Sequence, residues 1–409
     1  MQVEIRMIIN NAILMTVIMA CAMGCTTTPH LRTSSTATVA GATDTQASTN
    51  ASAQAQVHPT AIADSMPSHV LVGSWPEGGG NGIIMRTPHY LLRLSLREEP
   101  FRDRIPDFME ACFTAYASAL GPITNPDEPL EMYVFGERSL WEKWTRKKLG
   151  RDAEIYIGLG KGGYTTDSVS VLYDIGRFDT QTIAAHEGWH QFSQQTLQHP
   201  LPTWLEEGIA CYMEGTRLSR DGGPSTFRPW RNFERWSELR EAVRADELSP
   251  LGELLDGTPQ EYLQDGKNSL LTYYAQVWAL VQFLRDGESG KYRESFSQLI
   301  QDAASGKLAG RLAASKAIIG KKGRERAVQL RTGNAVILEY FNPDFATFSD
   351  EYSTFVKAIT ARGAGDRIFR GEFPLVPAGS PSNSAAVAPA ATPAATPVAD
   401  KSALENKKP

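Results

Sequence analysis

The pentapeptide His186-Glu187-Gly188-Trp189-His190 constrains this chain more than any other stretch, because it sets two imidazoles four positions apart with a carboxylate between them. The segment leading into it, Asp179-Thr-Gln-Thr-Ile-Ala-Ala, starts with capping residues and continues into helix formers, so His186 to His190 is expected to be helical. Residues four apart on a helix project from one face, one turn above the other. Two imidazoles so placed reach a single tetrahedral cation at the roughly 2.0 to 2.1 Å that zinc prefers. Glu187, about 100° around the helix from His186, sits beside that cation, where its carboxylate can take a proton from water. This is the HExxH spacing. A solvated helix face can carry the same three residues, and the pentapeptide alone does not separate the two cases.

A second segment adds weight. Leu201-Pro-Thr-Trp-Leu-Glu-Glu-Gly-Ile-Ala predicts another helix, opening with an acidic pair. Thr203 followed by Glu206 matches a capping box, in which Glu206 would bend back to the backbone of the cap residue. Glu207, one position on and pointing elsewhere, would then be free to serve as the third protein ligand. The seventeen positions from His190 to Glu207 leave room for the first helix to end, a turn through His199-Pro200 and a return to the metal. The competing role for Glu207 is a second carboxylate favoured by the helix dipole.

With these residues in view, His186-Glu-Gly-Trp-His190 followed by Pro202-Thr-Trp-Leu-Glu-Glu-Gly-Ile-Ala210 resembles the gluzincin, or peptidase-MA-like, metallopeptidases, where a Trp-Leu-x-Glu-Gly-x-Ala helix delivers a glutamate ligand. The specific likeness covers only about residues 180 to 214, and it is closest to exported bacterial members of that clan. It implies a zincin-like domain holding one Zn2+ on His186, His190 and Glu207, with Glu187 as general base and a peptide or protein as substrate. It further implies that the strand before the HExxH helix, here the run Ser168 to Tyr173, forms the sheet edge along which substrate lies. Members of the family often add a tyrosine that hydrogen-bonds the tetrahedral oxyanion. Tyr274, with Tyr273 as the neighbour it can be confused with, resembles that residue, although Tyr274, Val277, Trp278 and Val281 also form an ordinary apolar stripe. A non-catalytic scaffold lipoprotein that kept the zincin shape is the rival expectation. A structural metal site or a plain globular domain is another.

Other candidates are set aside. His199 lies nine positions beyond His190, which does not fit a metzincin continuation, and reads as a loop histidine. Cys211 follows Glu207 by four, but a thiolate would close the position that water needs, so buried packing is expected. Gly188 inside the helix suggests the close approach of another backbone.

Composition bears mainly on compartment and organisation. An apolar run, Ala12 to Met23, follows a short segment containing Arg6 and ends at Ala22-Met23-Gly24-Cys25. It is too short for a comfortable span and resembles the signal of a bacterial lipoprotein, with Cys25 as the lipidated residue and Cys21 in a competing frame. An ordinary signal peptide or an uncleaved anchor with incidental cysteines remains the alternative. Export to the cell envelope, anchored in the membrane on its periplasmic or extracellular face, is therefore expected. Cys112 and Cys211 then sit where disulfides are permitted, although isolated cysteines are usually buried small hydrophobes. Residues 26 to 66 are Thr, Ser, Ala and Gln with almost no large apolar side chain, and 377 to 409 repeat Ala, Pro, Thr and Ser, so both are expected to be disordered. The formal net charge of -5 argues against nucleic acid as a partner.

Between the tails, residues 67 to 376 read as one catalytic domain of α+β class. Strands are expected at Leu91 to Leu96, Leu130 to Phe135 and Ser168 to Tyr173, with helices from Ile105 to Leu120 and from Ser139 to Leu149. After the metal segment the pattern is helical: Phe233 to Val243, Ser269 to Asp286, Tyr292 to Ala303 and Ser349 to Thr360. A mixed sheet joined to a mainly helical C-terminal half follows.

Overall fold

Alternation along the N-terminal half builds a sheet. The computed structural model describes residues 69–158, 162–265, 270–329 and 331–371. The signal segment with Cys21 and Cys25, the 26 to 66 tether and the 377 to 409 tail lie outside these residues. Six strands form one mixed sheet: β1 (Val70–Ser74), β2 (Ile83–Arg86), β3 (Tyr90–Leu94), β4 (Leu130–Phe135), β5 (Gly163–Thr166) and β6 (Val169–Tyr173), in the spatial order β1-β2-β3-β4-β6-β5. The strands β3, β4 and β6 run parallel, while β1, β2 and β5 pair antiparallel to their neighbours. Tyr90, Leu92 and Leu94 of β3 point into the core as their period of two requires.

Helices cover both faces. On one, α1 (Ile105–Ser118) and α3 (Arg177–Thr196) meet the sheet through Phe108, Cys112, Ile183, Trp189 and Phe192, packed with Leu92, Leu94, Met132 and Val134. On the other, α2 (Arg138–Leu149) seats Trp141 in a smaller cluster with Trp75, Phe135, Tyr164 and Tyr173. Gly188 of α3 owes its place to α1: a Cβ there would come within 2.5 Å of the Tyr116 hydroxyl, which donates to the Ala185 carbonyl at 2.7 Å. The close neighbour is thus a side chain, where the sequence suggested another backbone.

The C-terminal half is helical, as expected. It contains α4 (Thr203–Met213), α5 (Phe233–Ala245), α6 (Leu270–Asp286), α7 (Arg293–Ala304), α8 (Leu308–Ala314), α9 (Gly320–Gln329), α10 (Ala335–Tyr340) and α11 (Phe345–Thr360), with shorter turns between them. From Leu270 to Leu284 every residue of α6 is buried, so it is the central helix around which the others pack. Gly208 of α4 lets the two axes approach, because a Cβ there would stand 2.6 Å from the Val277 carbonyl oxygen. The last long helix starts four residues before the expected Ser349. Asp344 is its N-cap, accepting from the amides of Ala346 and Thr347 at 3.1 and 3.2 Å.

Three expectations need correction. On the side of α3 the edge of the sheet is β5, with β1 at the opposite edge, and not the run Ser168 to Tyr173, because Asp167 and Ser168 take positive φ of 49° and 60° and fold β5 back as a hairpin on β6. The metal helix begins at Arg177, two residues before Asp179, and is held at its start by Asp174, whose Oδ1 accepts from the Gly176 amide and the Thr180 hydroxyl. There is no capping box on α4. Pro202 is its N-cap, and the Thr203 amide donates to the Arg331 carbonyl at 2.7 Å.

Candidate metal centre

Helices α3 and α4 run together beneath the sheet and bring three donors to one point. His186 and His190 project from one face of α3, their ring centroids 5.0 Å apart. Glu207, in the second turn of α4, sets Oε2 3.4 Å from His186 Nε2 and 3.6 Å from His190 Nε2. Donors around a tetrahedral cation at about 2.05 Å must stand about 3.3 Å apart, which is close to this spacing. None of the three residues is more than 1% exposed. Together they form a group that could hold a metal ion.

Hydrogen bonding gives an independent test of that fit. His186 Nε2, His190 Nε2 and both carboxylate oxygens of Glu207 are buried and have no hydrogen-bond partner among the described residues. Four orphaned polar atoms converging on one point carry a desolvation cost that a bound cation would remove. The opposite nitrogens are all taken. His186 Nδ1 donates to Glu214 Oε1 at 2.9 Å, and His190 Nδ1 donates to Glu206 Oε1 at 3.3 Å. A carboxylate behind each imidazole fixes the tautomer that leaves Nε2 free to ligate.

Glu206 therefore orients His190, and does not cap a helix. Its Oε1 also accepts the Ser193 hydroxyl. Glu214 was not singled out in the sequence, although it lies seven positions after Glu207, two turns along on the same side of α4. It is the more elaborately held of the two. Arg235 of α5 grips it through Nη2 to Oε1 at 2.8 Å and Nε to Oε2 at 3.1 Å, and Asn232 donates to Oε2 at 2.7 Å. Burial works against the Glu214 charge, but Arg235 and His186 outweigh it and hold its carboxyl well below the usual range. Burial likewise disfavours charge on Glu207 and on both imidazoles, yet their mutual attraction wins, lowering Glu207 and raising His186 and His190.

Glu187 differs from its neighbours. Its two carboxylate oxygens are buried and have no hydrogen-bond partner among the described residues, and burial raises its pKa above the ordinary carboxylate value. Its main-chain carbonyl is clamped by the hydroxyls of Thr165 on β5 and Ser170 on β6, at 3.0 and 3.2 Å, which fixes this turn of α3 against the edge hairpin.

The two tyrosines at the head of α6 are separated by their surroundings. Tyr274 lays its ring edge against His186, with centroids 5.9 Å apart, and carries the Arg235 guanidinium 5.2 Å from its centre. The Tyr273 hydroxyl is buried without a hydrogen-bond partner among the described residues, and after burial it is Glu207 that most raises its pKa. Cys211 is a free thiol pushed up by burial, as is Cys112, so the two do not pair. Cys211 also stands near His186 and Glu214, but Arg235 already fills the cationic role there. His199 accepts the Ala309 amide at 3.2 Å in a loop, away from the ligands. Compared with known proteins, the chain matches no family model and no curated sequence.

Proposed function

We propose that this α+β unit is a zincin-like domain of gluzincin type and that the protein is a zinc-dependent metallopeptidase, binding one Zn2+ on His186, His190 and Glu207. The observation that carries the reading is the pairing of orphaned ligand atoms with an equally orphaned Glu187 carboxylate beside them. Bound zinc would supply Lewis acidity, polarising the scissile carbonyl and acidifying water. Glu187 takes the proton from the attacking water and returns it to the leaving amine. Its raised pKa suits a group that must hold that proton between the two transfers. A phenol at the head of α6 donates to the developing oxyanion. Tyr274 holds the position expected from the family, while Tyr273 has the unspent hydroxyl.

The chain's substrate is then a peptide or protein, and β5 is the edge that can receive it in extended form. We further propose export to the cell envelope with Cys25 as a lipid anchor, a reading that labelling with a fatty-acid analogue in wild type and Cys25→Ser tests. Among the described residues no helix is long and apolar enough to cross a membrane. Hydrolysis of an unfolded-protein and peptide library by zinc-loaded wild type, against zinc-loaded Glu187→Gln, tests the reaction: loss in the variant is expected, and equal activity rejects it. One observation favours a non-catalytic scaffold instead. His186, Glu187, His190 and Glu207 are all at most 1% exposed, so a substrate reaches them only after neighbouring side chains move. Full zinc occupancy with no cleavage of any library would support that second reading.

A further inference from the structure

Outside the candidate metal centre, α9 stands out as a helix with no buried residue. Residues 316 to 331 hold six cations, Lys316, Lys321, Lys322, Arg324, Arg326 and Arg331, against one acid, Glu325, in a chain whose formal net charge is -5. Such a helix contributes little to the core, so its retention calls for another reason. The turn before it supplies a second observation. Ser315 is buried, and its Oγ accepts the amides of Ala317 and Ile318 at 3.2 and 3.3 Å. Ile318 is thereby turned inward, where Arg324 Nη1 donates to its carbonyl at 3.2 Å, while Ile319 is forced outward to 92% exposure. An isoleucine held out by an ordered turn offers apolar surface whose burial against a partner would be favourable.

Around that isoleucine the exposed face carries Lys321, Lys322 and Arg326, with Glu325 partly neutralising Lys321 at 3.7 Å and Val328 exposed at the far end. Lys322 and Arg326, four positions apart within α9, share one side of the helix, and Ile319 projects from the turn just before its first residue. Cations flanking a projecting aliphatic side chain match a surface that is anionic at its polar layer and hydrocarbon below. Nucleic acid would use the charge but leave Ile319 without a partner.

We propose that α9 and the turn carrying Ile319 form a docking surface for an anionic phospholipid bilayer. Ile319 enters the headgroup layer while Lys321, Lys322 and Arg326 lie against the lipid phosphates. Each cation near such a surface is worth about fivefold in partitioning, so reversing three should weaken the anionic component at least about a hundredfold.

The test uses the full chain with vesicles of phosphatidylcholine alone or mixed with phosphatidylglycerol, read by co-sedimentation at low and at physiological salt. Binding is read on both vesicle types, and the preference for the anionic one removes any contribution common to the two. Wild type should show that preference, weakening with salt. The triple variant Lys321→Glu, Lys322→Glu, Arg326→Glu should lose it, and Ile319→Ser should keep the preference but lower binding to the anionic vesicles several-fold. Because α9 buries nothing, all variants should keep the wild-type melting temperature. No anionic preference in wild type, an unchanged preference in the triple variant, unchanged binding of Ile319→Ser to anionic vesicles, or capture of single-stranded DNA without binding to anionic vesicles would each overturn the proposal.

Discussion

Glu214→Gln separates two jobs that one carboxylate performs. Glu214 accepts from His186 Nδ1 and neutralises Arg235, a guanidinium that is itself fully buried and already has one donor, Nη1, without a hydrogen-bond partner among the described residues. Loss of a carboxylate behind a ligating imidazole typically weakens metal binding about 10- to 100-fold. Removing the negative partner of a buried charge costs about 3 to 5 kcal/mol of stability, because the remaining charge has no compensation. At about 2 to 3 °C per kcal/mol for a domain of this size, the melting temperature of the metal-free variant should fall by about 6 to 15 °C. Glu206→Gln should weaken zinc comparably but melt only a few degrees early, since His190 keeps Glu207 as a counter-charge and only the Glu206 contacts to Ser193 and His190 are weakened. The double variant Glu214→Gln, Arg235→Met removes both charges and should recover most of the melting temperature while leaving zinc affinity low. Chelator competition gives the affinity and differential scanning calorimetry of the metal-free proteins gives the stability. Wild-type zinc affinity in Glu214→Gln, or a double variant no more stable than the single one, would refute the reasoning.

Further expectations follow from the same geometry. In the metal-free protein burial disfavours charge on both imidazoles, but Glu207 with Glu206 raises His190 to about 10, and Glu207 with Glu214 raises His186 from its ordinary value. Zinc takes the deprotonated form, so loading should release about one to two protons and weaken as pH falls; calorimetric titration in buffers of different ionisation enthalpy would contradict this if the heats agreed. Tyr273→Phe should lower kcat about 100-fold with zinc affinity intact, since the ring still packs on Tyr262, while Tyr274→Phe should change kcat less; the reverse order would return the oxyanion role to Tyr274. Gly208→Ala drives a Cβ to 2.6 Å from the Val277 carbonyl and should cost about 1 to 3 kcal/mol by denaturant titration, with no loss meaning that α4 and α6 are not tightly apposed.

What the sequence revealed was whatever a local period controls. The strand Leu130–Phe135 and the buried stripe of Ile105 to Ser118 are written in apolar spacing within a dozen or so residues, and the two helices that carry His186, His190 and Glu207 were legible from runs of helix formers, although their caps proved to be other residues. Contacts across the fold were harder to read. Glu206 looked like a capping residue because Thr203 stands three positions before it, yet the Thr203 amide is taken by Arg331, 128 positions away, and the carboxylate is drawn to His190 instead. Arg235 completes the Glu214 site from 21 positions downstream with no local pattern to mark it. The edge strand β5 is only four residues long, and the positive φ at Asp167 and Ser168 that turns it back leaves little trace in residues so small and polar.

X-ray absorption at the zinc edge, taken on the zinc-loaded full chain and on Glu207→Gln, tests the metal centre most directly. We predict one zinc per chain in wild type, with two imidazole nitrogens and oxygen donors at about 2.0 to 2.2 Å, and an oxygen shell and affinity that both diminish in Glu207→Gln. A sulfur shell at about 2.3 Å, for which Cys211 is the cysteine near His186 among the described residues, or a zinc environment unaltered by the substitution, would contradict the assignment of Glu207 and the open position on which the hydrolytic reading depends.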